Sequence, residues 1–201
     1  MLALLRRRDF GLLWIAGLIS FTGNSALIFA LPLHIYRETG STLATAGVLA
    51  ANLLPRFLFS SVAGVFVDQW DRKRTMVVTD LARAALLLPM LLAPNELALL
   101  YAVAAVQGTV GLFFLPAEGA LLPKLVGKEH LVSANALNAL NNNFGMLIGP
   151  AMGTMLYAQV GIGATILANS ATFLLSALLV SMIAADTRPE RDADEISGGA
   201  V

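Results

Sequence analysis

The sequence predicts an all-α integral membrane protein, a bundle of six transmembrane helices. Three observations carry this. Hydrophobic residues make up 57% of the 201, and Asp, Glu, Lys and Arg only 13%, about half the ~25% charge of a soluble domain. The charges that exist are absent from long stretches. Those that are basic fall on alternate loops.

Phe10 to Tyr36, Leu97 to Ala117 and Leu131 to Ala185 hold no Asp, Glu, Lys or Arg. A helix needs about 20 apolar residues to cross the hydrocarbon core. The first two stretches supply one crossing each. The third supplies two, with a turn at Gly161-Ile162-Gly163. Two more apolar runs carry isolated charges. The predicted helices are 10–36, 43–67, 75–93, 97–117, 131–157 and 163–185. They form a membrane domain over 10–185, with a short segment 1–9 before it and a polar tail 186–201 after it. Backbone groups in lipid must bond internally, so only helices or a closed barrel can span. These runs lack the alternation of barrel strands.

Basic residues set the orientation. Arg6, Arg7 and Arg8 precede the first helix, and Arg72, Lys73 and Arg74 follow the second. Lys124 and Lys128 follow the fourth, and Arg188 and Arg191 follow the sixth, whereas the opposite side has only Arg37. The positive-inside rule places the basic side, and with it both termini, in the cytoplasm. The expected location is the plasma (inner) membrane. Arg7-Arg8-Asp9-Phe10 also resembles a twin-arginine export signal. The apolar run behind it is about twice as long as a signal core, and no small-residue cleavage site closes it. The tail 186–201 reads as a solvated segment.

Several function classes are excluded. With 13 basic and 13 acidic residues, no strong field invites nucleic acid. The absence of cysteine removes disulfides, thiol chemistry and Cys-ligated zinc. The two histidines, His34 and His130, have no partners at metal-ligand spacing. No P-loop, GxSxG or HExxH is present. The sequence therefore predicts no enzyme activity, no cofactor and no metal. The expected partners are the lipid bilayer and a small-molecule substrate.

An ionisable side chain inside a span is a functional hypothesis by default. Arg56 lies 12 residues before Asp68, about 18 Å along the helix and so near the midplane. Asn52 lies one turn earlier on the same face. Arg56 is either a cation lining a polar cavity or one held by carbonyls or a carboxylate. Asp80 and Arg83, spaced i, i+3, are a candidate ion pair. Asn24 and Gln107 stand mid-helix. Asn135, Asn138 and Asn142 share a stripe of the fifth helix. Such groups turn inward, to contact substrate or a neighbouring helix. Gly145, Gly149 and Gly153, with Pro150 among them, give that fifth helix a flat groove for close approach and a site of bending.

These residues carry a resemblance. Gly64-Val65-Phe66-Val67-Asp68-Gln69-Trp70-Asp71-Arg72-Lys73-Arg74 resembles the signature between helices 2 and 3 of the major facilitator superfamily. Gly145…Gly149-Pro150…Gly153 resembles the helix 5 motif of its antiporters and exporters. The Arg-rich start with Phe10, Leu31-Pro32, Asp80 with Arg83, and Phe114-Leu115-Pro116-Ala117 resemble the branch of enterobactin and macrolide exporters. The resemblance covers nearly all of 4–185.

It implies one half of a facilitator fold, built from two inverted three-helix repeats. Gly64, Asp68, Arg72, Lys73 and Arg74 resemble a conformational latch between halves, with Glu118 as acidic partner. Gly145, Gly149, Pro150 and Gly153 resemble a hinge surface facing the other half. Asn24, Gln107 and Arg56 become candidate substrate contacts. Three positions depart from the family pattern. Asn24 stands where relatives often have an acid, Thr154 replaces a glycine, and Asp71 occupies a frequent glycine position. The implied function is proton-coupled export of small amphipathic compounds by alternating access. Members have twelve helices, so the six here are expected to be the N-terminal half, completed by a C-terminal half or a second copy. The alternatives are a non-transporting remnant and a homodimeric half-transporter.

Overall fold

A computed structural model describes residues 2–185. The predicted tail, with Arg188 and Arg191, lies outside the described residues. So do the side chains of Leu2, Ser61, Val62, Ala63, Val65 and Asp68. Among the described residues every regular element is helical: α1 (Arg8–Thr39), α2 (Thr42–Gln69), α3 (Arg72–Leu87), α4 (Pro89–Leu92), α5 (Leu97–Gly111), α6 (Phe114–Val126), α7 (Leu131–Val160) and α8 (Ile162–Ser181). Single 3-10 turns at Leu2–Arg6 and Lys128–His130 lead into α1 and α7.

Local chemistry sets the ends. Gly40, at φ 63°, closes α1, its N–H reaching the Tyr36 carbonyl; a left-handed residue there favours glycine. The Ser41 hydroxyl accepts from Ala44 N–H at 3.2 Å and starts α2. Asp71 caps α3 by accepting from Arg74 N–H at 2.9 Å. That gives the departure at position 71 a physical reason, since Asp is among the best N-caps. Gly161, at φ 91°, ends α7 and begins α8.

Two predicted helices differ from the structure. The stretch 75–93 begins earlier, at Arg72, and breaks at Leu88 into α3 and α4. Pro89 has no N–H to continue the ladder, and the flanking bonds tighten to Leu88→Ala85 and Leu91→Leu88. The stretch 97–117 breaks after Gly111 and runs on as α6 to Val126, through what the sequence suggested was loop. There Leu112 and Phe113 bond back three residues, to Thr109 and Val110. Pro116 then falls in the first turn of α6, where its missing donor costs nothing.

Five segments are long and apolar enough to cross a membrane: Arg8–Thr39, Thr42–Ser60, Arg72–Leu92, Leu97–Val126 and Ile162–Ser181. Six spans were expected. The remaining one, α7, is 30 residues long, but Asn135, Asn138 and Asn141 to Asn143 dilute its apolar character. Its length and packing are those of the other rods. α1 lies against α7 and α8, α2 against α5, and α3 against α8.

The core has two apolar clusters. One gathers Phe10, Leu13, Met76, Leu121, Leu122 and Ile183 near the basic end. The other gathers Leu31, Ile35, Leu87, Met90, Leu100 and Phe173 near the opposite end. Polar side chains buried at intermediate depth separate them, namely Ser20, Asp80, Arg83, Gln107 and Ser176.

Small residues decide how closely the rods approach. A Cβ on Gly149 would lie 2.6 Å from Ser25 Cβ and 2.8 Å from the Thr22 carbonyl; on Gly153 it would overlap the Ala26 carbonyl, and on Gly145 the Phe21 ring. All three glycines are buried. The expectation that this motif faces the other half is thereby corrected. Its glycines are consumed by α1 within this bundle, because a backbone-to-backbone seam needs no side chain on either face. Gly108 makes a second such seam, against the Asn52 carbonyl of α2.

Candidate functional site

The polar layer is built around Arg83, which is buried on α3. Its Nη2 donates to Asn24 Oδ1 on α1 at 2.7 Å. Its Nε donates to Gln107 Oε1 on α5 at 3.3 Å, and Gln107 Nε2 donates to the Arg83 carbonyl at 2.7 Å. The guanidinium carbon also stands 4.0 Å over the Phe173 ring of α8. One side chain thus joins four helices, which suits a delocalised cation with a fixed fork of donors.

Asp80, one turn away, does not form an ion pair with Arg83; among the described residues the one pair within 4.0 Å is His130–Glu129. The Asp80 carboxylate is fully buried, and neither oxygen has a hydrogen-bond partner. Ser176, Arg83 and Ser20 are the groups that act on it, none in hydrogen-bond geometry. The predicted contact is not made: Arg83 donates to Asn24 and Gln107 instead, while Asp80 stays near enough to act on it electrostatically.

Arg56 on α2 is half-buried, and its Nε is enclosed without a partner. Where a Cβ on Gly111 would stand, Arg83 Cζ is 3.7 Å away and Arg56 Nη2 is 3.8 Å away. The two cations therefore meet over one glycine. They line an open pocket with Ser20, Asn24, Glu118 and Asn142. Asn24 also borders a neighbouring pocket walled mainly by apolar residues such as Leu27, Leu31, Leu53 and Val103. The sequence-nominated Asn24, Arg56 and Gln107 are thus brought together, and Arg83 joins them.

The latch residues are placed differently. Glu118 on α6 accepts from Asn138 Nδ2 at 3.3 Å and forms no ion pair with the 72–74 cations among the described residues. It lines the two-arginine cavity instead. Lys73 donates to the Ile183 carbonyl at 2.7 Å, tying α3 to the end of α8. Arg74 is exposed, Arg72 is half-buried, and Gly64 has open space around it.

Several contributors were not singled out in the sequence. Asn141, not Asn142, is the buried asparagine of α7. Its Nδ2 donates to the Trp14 carbonyl at 2.8 Å, while Trp14 Nε1 donates to the Leu137 carbonyl at 2.9 Å. The buried stripe Leu137, Asn141, Gly145, Gly149, Gly153, Tyr157 repeats every four residues, a signal readable in the glycines. Asn135 is exposed. Asn52 donates to the Ala104 carbonyl at 3.1 Å rather than facing Arg56. His34 places Nε2 2.9 Å from the Pro94 carbonyl and Nδ1 3.3 Å from the Tyr157 hydroxyl. Facing a carbonyl, Nε2 must be the donor, so Nδ1 accepts. Both nitrogens are used structurally.

A bundle of tightly seamed spanning helices with a polar layer at mid-depth defines a multi-pass membrane protein. The chain belongs to the Major Facilitator Superfamily, whose profile matches residues 13–199. It is 33% identical over 113 residues to the multidrug efflux pump Tap of Mycolicibacterium fortuitum, a match covering 53% of this chain and 27% of that protein. No solved structure matches it.

Proposed function

We propose that this chain is the N-terminal half of an exporter that moves small amphipathic compounds across the plasma membrane by alternating access, driven by the proton gradient. The observation that carries the reading is the mid-depth layer in which Asn24, Arg56, Arg83 and Gln107 border adjoining polar and apolar cavities. An amphipathic molecule needs both surfaces within reach. Similarity to a multidrug efflux pump and the exporter-like glycine seam of α7 support the same reading. In it, both termini are cytoplasmic, the bilayer and a small molecule are the partners, and a second six-helix half completes the cavity. Asp68, with Gly64 and the cations Arg72, Lys73 and Arg74, serves as the reversible latch to that half.

The test is efflux of a fluorescent amphiphile from cells expressing this chain joined to, or co-expressed with, a six-helix C-terminal half. Expected is faster dye loss than in cells with either half alone, abolished by a protonophore. Dye loss equal to that of empty cells at verified expression would sink the reading. Export that survives the protonophore would remove the proton coupling alone. The remnant alternative loses one of its supports, since the α7 glycines are packed within the bundle and are not left bare.

A further inference from the structure

Two guanidinium groups at mid-depth in a membrane need a counter-charge. Isolated cations there are among the costliest groups to bury, and two that face the same gap also repel. Arg83 and Arg56 both lie within 4 Å of the point above Gly111. Two carboxylates stand near them, Asp80, which acts electrostatically on Arg83, and Glu118, which lines the same cavity, but neither forms an ion pair with a guanidinium. Arg83 donates to the amide oxygens of Asn24 and Gln107. Arg56 Nε has no acceptor. Asp80 also has Ser20 and Ser176 beside it, and Glu118 is engaged by Asn138. Among the described residues neither carboxylate comes within ion-pair distance of a guanidinium. Gly111, with no side chain, keeps the gap open.

We propose that Arg56 and Arg83 form an anion subsite, so that the molecule bound here is an organic amphiphile carrying a carboxylate or similar oxyanion. Its charged end sits over Gly111 between the two forks. Its apolar body extends past Asn24 into the chamber lined by Leu27, Leu31, Leu53 and Val103. Arginine matches an oxyanion through paired N–H donors, and Asn24, bordering both chambers, marks where polar meets apolar. The inference deepens the export reading and rests on it for the claim that this cavity takes substrate at all.

The probes are phenylbutyrate, phenylbutanol and phenylbutylamine, which share one apolar body and differ in charge. The completed transporter, this chain with its second half, in phosphatidylcholine nanodiscs at neutral pH, is heated while Trp fluorescence follows unfolding. The midpoint shift against ligand concentration gives an apparent Kd, because a ligand of the folded state alone raises the midpoint. Expected is a Kd about tenfold lower for the carboxylate than for the alcohol, the factor one charge-assisted hydrogen bond supplies. Arg56→Gln should erase that difference while leaving the alcohol's shift in place. Arg56 makes no protein hydrogen bond through Nε, so this variant keeps the fold even if Arg83→Gln does not. Equal binding of all three compounds, tighter binding of the amine, or an unchanged carboxylate preference in Arg56→Gln would each overturn the anion subsite and leave the amphiphile cavity standing. Binding of none of them would overturn both the subsite and this cavity's role in export.

Discussion

Arg83 is the residue on which the mid-depth layer depends. Its removal strands the buried Gln107 Oε1 and the half-buried Asn24 Oδ1, and loses the contact with Phe173. An unpaired buried acceptor costs about 1–3 kcal/mol, so Arg83→Met should destabilise by roughly that amount per stranded group. Thermal unfolding in detergent measures this. An additional Asn24→Leu change should recover part of the loss, since it removes an orphaned partner. An unaltered midpoint in Arg83→Met would show that the network carries no stability. Asp68 is read from its motif. Asp68→Asn should sharply reduce efflux by the completed transporter at equal expression, and undiminished efflux would remove its latch role.

At the scale of elements, two seams and one cap set the packing. α1 and α7 touch backbone to backbone at Gly149 and Gly153. In lipid, helix association rests on close packing more than on hydrophobic burial, so the seam has no substitute. Gly153→Leu would force the Ala26 backbone away and should cost at least about 2 kcal/mol. The expected readout is an early loss of the Trp14 signal, since Trp14 bridges α1 to α7. Full retention of that signal would show that the seam can yield. Asp71 holds the start of α3 through the Arg74 N–H. Asp71→Ala should lower stability by about 1 kcal/mol and Asp71→Ser by much less; equal losses in the two variants would assign Asp71 a role other than capping.

For the whole molecule, the basic residues at one end and the closed turn at Gly40 at the other predict a fixed orientation. A cysteine placed at Ser41 should react with an impermeant maleimide from outside intact cells. One at Lys128 should react only after permeabilisation. The reverse pattern would invert the topology and with it the direction assigned to transport. The two apolar clusters at opposite ends of the bundle, with Asp80, Arg83 and Gln107 in the layer separating them, describe an object rigid at its ends and polar at its waist. That division suits rocking about a mid-depth site.

The sequence alone marked the long apolar stretches, the side on which the loops are basic, and which polar residues would have to be satisfied inside a membrane. These are local properties. Apolar length, loop charge and helical spacing act over one element and need no knowledge of its neighbours. Asn24, Arg56 and Gln107 were legible for the same reason, since a polar group mid-span stands out against its own helix. The tertiary structure decided who meets whom. Asp80 and Arg83 share a face at i, i+3, yet Arg83 turns to Asn24 and Gln107 because α1 and α5 present amide oxygens where its fork can reach them. Asn141, hidden in a run of three asparagines, is selected by the rotation of α7 against α1. The glycines announced close approach, but only packing could say that the approaching helix is α1. Long-range partners follow from how six rods fit together, and one-dimensional periodicity holds no record of that fit.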